Sequence, residues 1–135
     1  MHRPYLIATA LVLLVGGVCA SAYAGALYLA CHAGVSLATA DVRDVFLGEK
    51  QFLNAIRLVP VDNLAVQPAF LEIVLKMNGT KYSTTWAKKS FRDGINAPAA
   101  LANDAAVLDF IRRTPGGCGY LAAPPPEGVT VIGKY

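Results

Sequence analysis

Short apolar runs alternate with amphipathic stretches along this chain. Ala26–Ala33 (ALYLACHA) is apolar and closed by Gly34, which predicts a buried strand. Thr39 is placed to cap a helix, and Asp41 lies in its first turn, where a negative charge complements the dipole. Val42, Val45 and Phe46 then fall at i, i+3, i+4, giving that helix one buried stripe, and Gly48 is its expected stop. Ile56–Val61 (IRLVPV) reads as a second strand. Pro60 lacks an N–H, so this strand sits at an edge or pairs only partly there.

Pro68 opens a second helix at its first turn. Phe70, Leu71, Val74 and Met77 line one side of it, and Asn78-Gly79 reads as its end. A third helix is expected from Thr80 or Ser83 through Trp86 to Ser90, followed by a turn at Asp93-Gly94 and a connection over Ile95–Leu101. Asn103 caps a fourth helix, Asp104–Arg113, with an acid in its first turn and Arg112-Arg113 in its last. Val107, Leu108 and Ile111 form its buried face. Cys118–Ala122 (CGYLA) and Val129–Ile132 (VTVI) are the last strands, separated by the stiff spacer Pro124-Pro125-Pro126. Strands separated by helices imply an α/β fold, a mostly parallel sheet with helices on both faces. No internal repeat is present.

The amino terminus departs from this pattern. Leu6–Val18 is an apolar run, shorter than the roughly 20 residues of a membrane span, and Ala22-Tyr23-Ala24 supplies an A-x-A pair. We therefore expect 1–24 to be a cleaved signal peptide and 25–135 a single α/β domain. The rival reading is an uncleaved anchor, since no charge occurs from Tyr5 to Ala30. Export implies an oxidising compartment, most simply the periplasm.

Composition narrows the classes. The chain has 135 residues, 55% hydrophobic and 16% charged, enough apolar surface to offset ordering entropy, so disorder is excluded for its bulk. A net charge of +3 without a recognisable module argues against a nucleic-acid binder. Beyond the leader two cysteines remain, Cys31 and Cys118. They are compatible with one disulfide or with two buried thiols, and residue type by itself leans slightly to the thiols. A bridge requires their strands to be neighbours.

Four segments, in order, resemble phosphate-type periplasmic substrate-binding proteins. Arg43-Asp44-Val45-Phe46-Leu47-Gly48-Glu49-Lys50 is similar to the family's "DIFLGK" segment. Thr85-Trp86-Ala87 with Ser90-Phe91-Arg92-Asp93-Gly94 is similar to its "YW…FTG" stretch. Asn103–Leu108 resembles the capped helix that follows, and Thr114–Leu121 resembles "NPGAIGYV". The match runs from Leu27 to Ile132. The resemblance implies one lobe of the type 2 periplasmic-binding-protein fold and a phosphate ABC transporter substrate-binding-like function. Full-length members clamp their ligand between two lobes, whereas this chain has length for about one. Where the family carries an Arg and a hydroxyl-rich loop, this sequence reads Val59-Pro60-Val61-Asp62-Asn63-Leu64-Ala65-Val66-Gln67. Pro60 occupies the Arg position, only Asp62 is kept, and Pro68 removes one N–H from the helix start that such anion sites use.

Other chemistry has little support. His32 alone, beside one cysteine, does not supply the three or four ligands of a zinc site, so no metal is expected. No G-x-S-x-G, H-E-x-x-H or P-loop pattern occurs, and neither an enzyme nor a cofactor is expected. Asp41, Asp44 and Glu49 read as a solvated helix face. Lys76, Lys81, Lys88, Lys89 and Arg92 form a cationic bias, read first as solvated exterior and second as a surface for an anionic partner. Trp86 is expected in the core. Two functional readings remain. One is a binding module that holds a small anion or solute at the carboxyl ends of its strands, through Asp62, Asn63 and Gln67. The other is a ligand-free docking protein for a membrane transporter or sensor. Oligomeric state is left open by the sequence.

Overall fold

The protein is described by a computed structural model over residues 25–135, so the expected leader lies outside the described residues. Strand β1 (Tyr28–His32) shows how two cores arise from one strand. Successive side chains of a strand point to opposite faces. Leu29 and Cys31 therefore enter one core, and Ala30 enters the other.

The remaining elements follow in chain order. A 3-10 turn at Thr39–Asp41 leads into α1 (Val42–Phe46). A hairpin of β2 (Phe52–Leu53) and β3 (Ile56–Arg57) precedes β4 (Val59–Asn63). Helix α2 (Gln67–Phe70) widens into a π-helical turn over Leu71–Leu75. Then come α3 (Gly79–Asp93), β5 (Ala99–Leu101), α4 (Asp104–Arg113), β6 (Gly117–Leu121) and β7 (Val129–Lys134).

The main sheet has the order β5-β4-β6-β1-β7. Strand β4 is parallel to β5 and to β6, while β1 is antiparallel to β6 and β7. Strand direction is thus mostly shared, with β1 reversed. The strands read from the sequence at 26–33, 118–122 and 56–61 lie side by side as β1, β6 and β4. On one face Leu29, Cys31, Cys118 and Tyr120 pack with Phe46, Phe70 and Trp86 from α1, α2 and α3. On the other, Ala30, Val61 and Leu121 pack with Val107 and Ile111 of α4. Helices cover both faces, as the alternation of elements predicted.

Cys31 and Cys118 face each other across β1 and β6 and form a disulfide, with Cα atoms 4.1 Å apart. The slight lean of residue type towards free thiols is corrected here. Pairing register, which no residue type encodes, brings the two together.

Several boundaries also differ from expectation. The segment Ile56–Val61 is split, because Ile56-Arg57 pairs back on Phe52-Leu53 through a turn in which Asn54 takes φ 54°. Asparagine tolerates that left-handed conformation better than most residues. Strand β4 pairs with β6 at Val59 and Pro60 and with β5 from Val61 to Asn63, so the proline does sit at partial pairing. Thr39 caps nothing with its side chain, since it belongs to the 3-10 turn. The second helix ends at Lys76, in left-handed conformation, and Asn78 caps α3 instead by accepting from the Lys81 N–H at 2.8 Å. The expected connection over Ile95–Leu101 ends in β5. Finally, β7 pairs with β1, so the segment after the three prolines closes the chain's own sheet.

Lys89 is not solvated exterior. It is buried, and its Nζ donates to Leu47 O at 2.5 Å and to Glu49 Oε1 at 2.6 Å. The same ammonium stands 5.9 Å from the ring centroid of Trp86, itself in the core with Nε1 donating to Phe46 O at 3.2 Å. The α1–β2 loop is thereby tied to α3.

Candidate functional site

The parallel strands β4, β5 and β6 end on one edge of the sheet, where α2 and α4 begin. In open α/β sheets this edge is where ligands bind. Asp62 and Asn63 are the last residues of β4, and Gln67 is the first of α2.

Asp62 is buried and is held by two phenols. Tyr82 of α3 donates its hydroxyl to Oδ2 at 2.8 Å, and Tyr120 of β6 donates to Oδ1 at 3.0 Å. The Gln67 side chain lies close enough to favour its ionised form as well. Burial pushes the Asp62 carboxyl above its ordinary value, because a charge loses its hydration there. The bonds from Tyr82 and Tyr120, with the nearby Gln67 side chain, favour the ionised form and offset part of that rise. Burial and the neighbouring Asp62 charge push both tyrosines upward from the ordinary phenol value. Tyr120 is fixed further by stacking on Phe70, with ring centroids 3.8 Å apart and planes within 8°.

Asn63 is fully buried. Its Nδ2 donates to Asp104 Oδ1 at 2.7 Å and to Tyr120 O at 3.0 Å, while its Oδ1 accepts from the Ala65 N–H at 3.1 Å. Asp104, at the start of α4, also accepts from the amides of Ala122 and Ala123. In the loop after β4 the amides of Leu64, Ala65 and Val66 are all bonded internally. Gln67 is half-buried, and Leu64 is exposed at the rim.

The structure therefore brings Asp62, Asn63 and Gln67 together at one edge. It adds Tyr82, Tyr120 and Asp104, which sequence reading did not assign to the site. A signal for them existed. A phenol on an otherwise apolar stripe or strand needs a hydrogen-bond partner when buried, and so does an acid that ends an apolar strand. Among the described residues no group of three His, Cys, Asp or Glu is arranged to hold a metal ion.

No family model matches the chain, and no curated protein matches it. Among solved structures it is similar to a phosphate ABC transporter substrate-binding protein from Clostridium perfringens, determined with bound phosphate. The TM-score is 0.60 at 12% identity, over 80% of this chain. The fold is thus that of a substrate-binding-protein-like α/β unit. The matched region spans 45% of that protein's length.

Proposed function

We propose that this chain is an exported, single-lobe solute-binding module of the type 2 periplasmic-binding-protein class, which holds a small anion or solute at the carboxyl ends of β4, β5 and β6. The observation that supports this reading is the convergence of Asp62, Asn63 and Gln67 at the strand-to-helix edge of a substrate-binding-like fold. Gln67 and the exposed loop at Leu64 offer the contact surface, with the buried carboxyl of Asp62 behind them. The leader delivers the protein to the periplasm, where a membrane transporter or sensor is its partner.

One observation favours a second reading, a ligand-free docking protein. Both oxygens of Asp62 accept from tyrosine hydroxyls, and the loop amides that would grip an anion are engaged internally. Calorimetric titration with phosphate, sulfate and molybdate separates the two. Saturable heat that Gln67→Ala weakens supports the binding module. Flat titrations, with recovery of a membrane partner by pull-down, support docking.

A further inference from the structure

The opposite edge of the sheet carries a hollow of its own. It lies at the amino ends of β4 and β5, between the β2–β3 hairpin, α3 and the segment 95–98, and encloses about 340 Å³. Small-molecule sites usually enclose roughly 300–1,000 Å³.

Its walls are mainly apolar, with Leu58 before β4, Val61 of β4, Trp86, Ile95, Pro98 and Phe110 in the lining. The indole is a fixed wall, because its N–H is committed to Phe46 O. Gly48 lets the α1–β2 loop close on it. A Cβ at that position would stand 2.7 Å from Trp86 Cη2, and the backbone there has φ +72°, which favours glycine.

The charged groups of the hollow are both cations, Lys50 and Arg57, and no carboxylate lines it. Lys50 is matched by Asp41, with Nζ 3.3 Å from Oδ2. Arg57 is exposed, and its guanidinium has no ion pair among the described residues. An unmatched guanidinium at an apolar hollow complements one planar anionic group on an apolar body. Its fork of donors fits a carboxylate with two parallel bonds. The lining has no Ser or Thr hydroxyl and one unmatched cation, which suits a single negative charge better than a doubly charged phosphate.

We propose that this hollow is a binding site for small apolar carboxylates, with the hydrocarbon part against Trp86, Ile95 and Phe110 and the carboxylate on Arg57. It lies at the other end of the strands from Asp62 and is independent of the function proposed above.

Trp86 is the protein's one tryptophan, so its fluorescence reports on the hollow directly. The protein is titrated with 4-phenylbutyrate, and with 4-phenylbutylamine as the opposite charge on the same body. Saturable change with the carboxylate, little with the amine, and chemical-shift changes confined to 45–51, 57–61, 86, 95–99 and 110 are expected. Arg57→Ala, at an exposed side chain, should weaken binding by about tenfold or more, the loss of a charge-assisted hydrogen bond. Lys81→Ala, on the outer face of α3, should leave it unchanged. Absence of saturation, an equal response to the amine, or unaltered affinity in Arg57→Ala would each overturn the proposal. A flat phosphate titration would not bear on it, since that tests the Asp62 edge.

Discussion

Asn63 and Asp104, 41 residues apart in sequence, are joined by a 2.7 Å hydrogen bond from Nδ2 to Oδ1. Through Tyr120 O on one side and the Ala122 and Ala123 amides on the other, this pair knots the end of β4, the start of α4 and the end of β6. Asn63→Ala leaves the buried Tyr120 O and the part-buried Asp104 Oδ1 short of a donor. A loss of about 1–3 kcal/mol is expected, read as a lower urea midpoint. An unchanged midpoint would show that the knot contributes nothing to stability.

The buried Asp62 carboxyl makes stability depend on pH. Its folded-state pKa is raised above its unfolded value, chiefly by burial. Its contribution is therefore full below the unfolded value of about 3.9 and is lost as pH rises through the raised folded value. Asp62→Asn does not titrate at this position. The stability of the variant relative to the natural protein should then increase as pH rises through that window, measured by urea unfolding at a series of pH values.

Tyr82→Phe removes one of the two phenol donors to Asp62 while keeping the ring. The ionised carboxylate then loses a bond that favours it. The Asp62 carboxyl should titrate at still higher pH than in the natural protein, as followed by carbon-13 NMR of its side chain. A downward move would contradict the role given to Tyr82.

The Cys31–Cys118 disulfide closes a sequence separation of 87 residues. Thiol counting under denaturing, non-reducing conditions should find neither cysteine free. Replacing both by alanine should cost about 2–4 kcal/mol, chiefly by releasing the unfolded chain. Equal denaturant midpoints for the two forms would count against this.

Lys89→Met keeps an unbranched apolar side chain at the position and removes the ammonium from Leu47 O and Glu49. A loss of about 1–3 kcal/mol is expected from the buried carbonyl left without its donor. Glu49 itself is exposed, and the Lys89 hydrogen bond and charge hold its carboxyl below the usual range. In Lys89→Met that carboxyl should return upward towards its ordinary value, which an NMR titration reads.

Legibility followed locality. Helix α4 was predicted over Asp104–Arg113 and is found there, because Asn103, whose side chain accepts from the Ala106 N–H at 3.0 Å, is its own cap. The β2–β3 hairpin and β5 were missed, since strands of two or three residues show no periodicity and exist only through their partners. The burial of Lys89 is illegible in the sequence for a related reason. Its sequence neighbours are cations on a solvated face, and only the approach of Leu47 and Glu49 makes its position a buried one. At the candidate site, the three residues named from sequence do converge. The tyrosines that occupy Asp62 come from α3 and β6, and nothing near Asp62 in the chain announces them.

The sequence alone established the alternation of strands and helices, the caps of α4 and the burial of Trp86, all consequences of how a segment's own side chains bias its backbone. Tertiary structure decided the reversal of β1, the pairing of Cys31 with Cys118, and the closing of two phenols on Asp62. These are relations between distant segments, set by strand register and packing, and no local propensity encodes them.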